Sequence, residues 1–476
     1  MRAEMKTSRS QKRRLLVILI VSAQLAAIYV FTLVHFRTRT RLRKLLARKA
    51  EALITAIHFE RLSAMLGVQQ AYAEPEPHNR AIPDHFPTLE QLDARIHRLV
   101  QQNPELLSLE VIGHSTTIGL PIYAIKLSDH PRMEEDESAI LFSGLHHARE
   151  PMGTLVCLHL LDELVSRYKT DPQIRKLVNQ LEIWFVPIVN PDGYKYMMDN
   201  YVPYPWWRKN LHDNDGNGKF DPLIDGVDLN RNYDFNWHDG GEGNPGSWFY
   251  RGKAPFSEKE IYAVKTLALR ENVMAGISFH SYGEIVLYPW GNYYPAPDHR
   301  LIIAIAKQMA ARMHKLSFNE NYGVLPLNGR VGQSSVWMYG RLRAIDYIVE
   351  LGEEHFPDRG EVGQILEAGT AGAMYLLQAA SSMGIRGHVK DALTQQPLVA
   401  KILVEGLEAD YVHPRFSEKW FGRFERILAP GRYNLYIVAD GYESKSLPGV
   451  LVTAGHPVQL SVDLNRKIPT FPLGNH

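Results

Sequence analysis

The chain has 476 residues, 45% hydrophobic and 22% charged, which suits two or three folded domains rather than one small core. Its 53 Lys/Arg against 52 Asp/Glu conceal an asymmetry, because residues 1–50 hold thirteen of the basic residues and one acid, Glu4, leaving the remainder about eleven units acidic. A basic excess confined to one terminal segment excludes a nucleic-acid partner, and the lone Cys157 excludes an internal disulfide.

In chain order, the first feature is Leu15–Phe36, twenty-two residues without a formal charge. That is long enough to span a bilayer as a helix. It predicts a basic segment and transmembrane or signal-anchor helix over 1–36, with Lys/Arg on both flanks leaving its orientation open. A juxtamembrane helix and a Glu/Pro-rich linker follow over 37–80. "PTLEQLDARIHRLVQQNP" then has helical periodicity and stops at a proline. "SAILFSG", "LEIWFVPIVN", "VMAGISFHS" and "AIDYIVELG" read as buried strands. Between them "MGTLVCLHLLDELVSRY", "SEKEIYAVKTLAL" and "RLIIAIAKQMAARMH" read as helices. This alternation predicts an α/β domain over 81–383, a mixed sheet with helices on both faces. Near residue 384 the helical period disappears, and short alternating runs such as "GRYNLYIVADGY" and "HPVQLSVDL" predict a small all-β sandwich over 384–468.

Ligands of open α/β sheets collect at the carboxyl ends of strands. Three of the predicted strands deliver ionisable groups there. "SAILFSG" runs into His146, His147, Arg149 and Glu150; "VMAGISF" runs into His280; "AIDYIV" runs into Glu350. Two imidazoles and one carboxylate leave a tetrahedral metal one open position, as catalytic zinc requires. A further carboxylate then serves as base. Pro151 disfavours helical geometry at Glu150, so the next helix should begin after this cluster. With the cluster in a turn, the H-x-x-E spacing of His147 and Glu150 becomes the better ligand pair.

The ordered motifs "HHAREPMG", "NPDGY", "WWRKN", "GVDLNRNYD", "SEKE", "ISFHSYGEIVLYPWG" and "YIVELG" resemble those of the zinc metallocarboxypeptidases, over roughly residues 85–380. That family is itself a standard example of the His₂Glu zinc site. The resemblance implies one Zn²⁺ held by His147, Glu150 and His280. It implies Glu350 as the base that activates the zinc-bound water, and Arg208 as the group that polarises the scissile carbonyl. It further implies Asn230, Arg231 and Arg149 as substrate-binding residues, the first two for a terminal carboxylate. His146 is left with a supporting role. The segment from "GIRGHVKDALTQQPLVAKILVEG" resembles the transthyretin-like sandwich of the regulatory carboxypeptidases.

Two positions depart from the family pattern. The mobile-loop tyrosine falls near Leu325 or Asn328, neither aromatic, with Tyr322 and Tyr339 nearby. The position that usually fixes side-chain preference is Ser335, neither apolar nor acidic. In "DNDGNGKFDPLIDGVD", Asp213, Asp215, Asn217 and Asp221 have the spacing of half a calcium loop, which fits either bound Ca²⁺ or a turn-rich insertion. The expectation is a membrane-anchored zinc carboxypeptidase acting on peptide or protein C-termini. Its catalytic domain would lie on the extracytoplasmic (periplasmic or extracellular) side, or be secreted if the N-terminus is cleaved near Ala71-Tyr72-Ala73. A same-fold hydrolase of peptidoglycan stem peptides and a catalytically silent zinc- or carboxylate-binding module are the alternatives.

Overall fold

The computed structural model describes residues 82–199, 207–290, 295–317, 319–327 and 331–467. The anchor expected at Leu15–Phe36 and the linker expected at 37–80 lie outside them. Among the described residues no helix is long and apolar enough to cross a membrane. The longest, Arg359–Ser382, carries Arg359, Glu361 and Glu367 and turns its apolar side to the core. The expectation of a membrane-anchored protein with an extracytoplasmic catalytic domain is corrected on this finding.

The first described helix, α1 (Leu89–Gln102), begins where Thr88 and Gln91 exchange side-chain and backbone hydrogen bonds, a reciprocal cap that contributes ~1 kcal/mol. The chain continues through β1 (Leu107–His114), β2 (Pro121–Leu127), β3 (Ser138–Gly144), α2 (Met152–Arg167), α3 (Pro172–Val178), β4 (Leu181–Val186) and α4 (Pro191–Asp199). After a long irregular stretch come α5 (Lys259–Arg270), β5 (Ala275–His280), β6 (Ile285–Tyr288), α6 (His299–Ala310), β7 (Gly323–Pro326), α7 (Ser334–Leu342), β8 (Ile345–Glu350) and α8 (Arg359–Ser382). The sheet runs β1-β2-β4-β3-β5-β8-β6-β7. Its centre, β4-β3-β5-β8, is parallel, and antiparallel pairing joins β1, β2 and β6 to it.

Both faces of the central strands are covered, so these strands are largely apolar rather than alternating, with Glu182 of β4 and Asp346 of β8 as buried exceptions. On one face Ile140, Phe142, Phe185, Ile277 and Phe279 pack with Val156, Leu160, Leu376 and Leu377 from α2 and α8. On the other, Leu141, Trp184 and Val186 meet Ile261 and Leu267 of α5 and Trp337 and Met338 of α7. A mixed α/β sheet with helices on both faces is therefore what the alternation had predicted.

Two glycines set the approach of β3 to α2. A Cβ on Gly144 would sit 2.6 Å from the Gly153 carbonyl carbon, and one on Gly153 would sit 2.6 Å from the Phe279 carbonyl oxygen. Only bare backbone lets the turn after β3 lie against β5, which is how His147 and Glu150 come to face His280.

From Ile385 the chain forms two further sheets, β11-β10-β13-β14 and β12-β9-β15. Their strands are β9 (Ile385–Asp391), β10 (Lys401–Val404), β11 (Arg415–Phe416), β12 (Arg423–Arg426), β13 (Gly431–Val438), β14 (Lys445–Val452) and β15 (Val458–Leu464). They enclose a core of their own, including Val389, Ile402, Phe424, Leu435, Ile437 and Val462. This small β unit grips the first domain with buried arginines. Arg415 donates to the carbonyls of Asn272 (2.7 Å) and Val273 (2.9 Å), just before β5, and to that of Leu342 (3.1 Å) at the end of α7. Arg426 and Arg343 share the carboxylate of Asp298 at 3.3 and 2.8 Å.

Candidate active site

The turn between β3 and α2 carries His146 to Glu150, and α2 starts at Met152 behind Pro151, as the proline had predicted. β5 ends on His280, β8 ends on Glu350, and the two residues are register partners. His147, Glu150 and His280 are all buried and offer ligand atoms within 4.8 Å of one another. His147 Nδ1 lies 2.9 Å from Glu150 Oε2 and 3.1 Å from His280 Nδ1, and the last two atoms are 2.9 Å apart.

This triangle fits zinc. Zn–N and Zn–O bonds of about 2.0–2.2 Å in a tetrahedron put ligand atoms about 3.3 Å apart, so a small outward relaxation admits the ion. The remaining ring nitrogens are already engaged. His147 Nε2 bonds Asp228 Oδ1 at 3.2 Å, while His280 Nε2 meets Ser278 Oγ at 3.0 Å. Such partners fix ring orientation and leave the Nδ1 lone pairs for a metal. Burial holds the His280 imidazole down at about 4, so it stays neutral. Burial opposes charge on Glu150, but the flanking His147 and His280 hold its carboxyl well below the usual range.

Asp228, in "GVDLN", escaped the sequence reading. It is fully buried and receives Arg208 Nε at 3.0 Å, Arg208 Nη2 at 2.9 Å and the Asn230 amide at 3.0 Å, besides His147. Burial works against its charge, yet Arg208, Arg231 and His147 keep its carboxyl depressed. Held this way, Arg208 aims Nη1 at the ligand cluster, 3.1 Å from His147 Nδ1 and 3.5 Å from Glu150 Oε1.

His146 sits one layer out. Its Nε2 bonds the Tyr233 hydroxyl at 2.8 Å and its Nδ1 meets Ser278 Oγ at 3.1 Å. Tyr233, His146 and Ser278 thus form a buried polar chain ending on His280. Asn230 and Arg231 lie in a single 3-10 turn (Leu229–Arg231) capped by Asp228, and Asn230 Oδ1 accepts the Ser334 amide at 2.9 Å. Trp248 and Phe249 brace the cationic wall. The guanidinium of Arg149 lies 5.8 Å from the Trp248 ring, and those of Arg208 and Arg231 lie 5.4 and 5.6 Å from Phe249. Burial, and next the charge of Glu150, push the Glu350 carboxyl well above its ordinary value, against the pull of Arg208, Arg231 and Arg149. His355, on the loop after β8, also went unnoticed; it packs edge-on to Tyr282 at 4.9 Å.

Residues 92–372 match the family described as zinc carboxypeptidase. The chain belongs to that family. Carboxypeptidase A2 of Mus musculus is 31% identical over 292 residues, 60% of this chain and 65% of that one. Carboxypeptidase B of Bos taurus is 28% identical over 284 residues, 58% of this chain and 64% of that one. The chain therefore spans just under two thirds of the length of these curated relatives. Among solved structures, carboxypeptidase A from Helicoverpa armigera aligns with a TM-score of 0.55 at 23% identity, covering 68% of this chain and 81% of that one. At that identity the likeness shows the zinc carboxypeptidase fold.

The structure bears on the missing loop tyrosine and on the acidic loop. Tyr322 and Tyr339 are buried, their hydroxyls engaged with the Gly352 amide (3.2 Å) and with Asp298 (2.7 Å), so neither serves as a mobile-loop tyrosine. Leu325 lies half-buried in β7, and Asn328 is outside the described residues. In the acidic loop, Asp213 and Asp215 approach Asp225 rather than Asp221. Calcium there is not supported, and the loop's own amides hydrogen-bond the same side chains. Asp213 accepts from Gly216 and Gly218, Asn217 from Lys219, and Asp221 from Leu223. These are side-chain-capped turns, and the spacing follows from them.

Proposed function

We propose that the protein is a zinc-dependent carboxypeptidase that hydrolyses the C-terminal peptide bond of peptides or proteins. The observation that carries the reading is the convergence of His147, Glu150 and His280 beside the end of β8, where Glu350 stands in register with His280. Zinc bound to these three side chains supplies a Lewis acid and water of lowered pKa.

The chain's own residues supply the remaining steps. Glu350 takes a proton from the attacking water and delivers it to the leaving amine, a task suited to a carboxyl whose proton affinity burial has raised. Arg208, rigidly paired to Asp228, donates to the oxygen that becomes negative as the carbonyl turns tetrahedral. Asn230 and Arg231 receive the terminal carboxylate, Arg231 through its planar fork. Arg149, braced on Trp248, adds positive charge along the path of the incoming chain end. His146, Ser278 and Tyr233 hold His280 in place. We assign this chemistry to a catalytic domain over 81–383, and read the following sandwich over 384–468 as transthyretin-like.

Paired peptides with free and amidated C-termini test the assignment. Cleavage confined to the free acid supports it, because Arg231 then has its anionic partner. Equal cleavage of both forms would make the protein an endopeptidase.

A further inference from the structure

Below the candidate site the strands carry a second, deeper group. β8 alternates, so Asp346, Ile348 and Glu350 share one side, in register with Gly276, Ser278 and His280 of β5. This side faces α7, because Ser335 Oγ in the first turn of α7 donates to Asp346 Oδ1. The layers descend from His280 and Glu350, through Ser278 and Ile348, to Gly276 and Asp346. Four residues of strand separate the Cα atoms of Glu350 and Asp346, about 13 Å.

Asp346 is 3% exposed. Among the described residues no lysine, arginine or histidine pairs with it, and the Ser335 hydroxyl is its side-chain partner. Its carboxylate lies over Gly276, where a Cβ would come within 2.4 Å of Oδ2. Burial pushes the carboxyl up to about 7. This acid thus lies within the layer under α7 with a hydroxyl, and no cation, against it among the described residues. Two more polar atoms on the same turn, Gln333 Oε1 and Ser334 Oγ, are buried without hydrogen bonds.

The turn that presents these groups also adjoins the carboxylate-binding pair. The Ser334 amide donates to Asn230 Oδ1, and the next residue, Ser335, donates to Asp346. A peptide with its terminal carboxylate at Asn230 and Arg231 and its scissile bond at Glu350 would turn its last side chain toward α7, the side on which Asp346 lies. Leucine and phenylalanine bring no donor to that depth. Lysine and arginine reach further and end in a cation, for which Asp346 and Gln333 Oε1 are complementary acceptors.

We propose that Asp346, presented by Ser335, selects the C-terminal side chain, and that the preferred substrates end in arginine or lysine. The inference rests on the carboxypeptidase reading for its placement of the substrate. The test compares kcat/KM of the full-length zinc-loaded protein on matched peptides ending in Arg, Lys, Leu and Phe, for wild type and Asp346→Asn. The expected preference for Arg and Lys is roughly 100-fold. Asn at 346 should abolish it while changing the Leu and Phe values little. A wild type that favours Leu or Phe overturns the proposal whether or not the variant folds, and so does a variant that keeps the basic preference. If no peptide is cleaved, the proposed activity falls, and calorimetry with free L-arginine and L-norleucine decides this point separately. Arginine bound at least tenfold more tightly, with the difference lost in Asp346→Asn, sustains the site; equal affinities remove it.

Discussion

Asp228→Asn removes one charge and almost no volume, yet it acts on both halves of the site. The carboxylate accepts four hydrogen bonds, from His147 Nε2 at 3.2 Å, Arg208 Nε at 3.0 Å, Arg208 Nη2 at 2.9 Å and the Asn230 amide at 3.0 Å. An asparagine cannot accept all four, since its amide nitrogen must face either the histidine or the guanidinium. Loss of the acceptor behind His147 lowers zinc affinity by about 10–100-fold. Loss of the anchor for Arg208 removes an oxyanion donor, which costs about 10²–10³ in kcat. Arg208 is buried, and reducing its ion pairing to Glu150 at 3.5 Å costs up to about 3 kcal/mol of stability. Zinc affinity is read by chelator competition, turnover at saturating zinc on a peptide with a free C-terminus, and stability by thermal melting. A variant with wild-type zinc affinity and wild-type kcat/KM would refute the reasoning, because His147 and Arg208 would then hold their orientation without Asp228.

Three further outcomes are expected. Glu350→Gln retains zinc and the fold but lowers kcat by about 10²–10⁴, measured by metal analysis and steady-state kinetics; unchanged turnover would move the base elsewhere. Gly153→Ala places a methyl group 2.6 Å from the Phe279 carbonyl oxygen, so it should cost ~1–3 kcal/mol and weaken zinc binding as the turn shifts from β5, both visible in a zinc-dependent melt. Burial, with Glu135 and Asp129 next, pushes the Glu137 carboxyl up to about 8. Its contribution is therefore fully present below the ordinary carboxylate range and lost as pH rises toward 8. Glu137→Gln should raise Tm relative to wild type at pH 8.5 and not at pH 5; a difference that does not vary with pH counts against that origin.

The strands and helices around the site were legible because they obey simple rules. β3, β5 and β8 are largely apolar runs with an ionisable residue at or just beyond the end, and Pro151 marked the start of α2. Helix α8 was not singled out in the sequence, and it holds four glycines. Gly369 lies against Val156 of α2 and Gly372 against Met313, so the missing side chains bring the helices together rather than breaking α8. β6 and β7 are four residues each, too short for periodicity to register. Asp228 was missed because its role depends on residues 20 and 81 positions away, which no local spacing encodes. The calcium-like spacing left two readings open because Asp and Asn serve turns and metal loops alike. The buried arginines that join the sandwich to β5 and α7 look like ordinary surface charges in the sequence.

The most direct test of the account follows the amino acids released by the full-length protein from a peptide mixture, with its zinc in place, removed by chelation, and restored. The account predicts release of single C-terminal residues, halted when zinc is removed and recovered when it is added back. Internal cleavage, or release that continues after metal analysis shows the protein free of zinc, would contradict it.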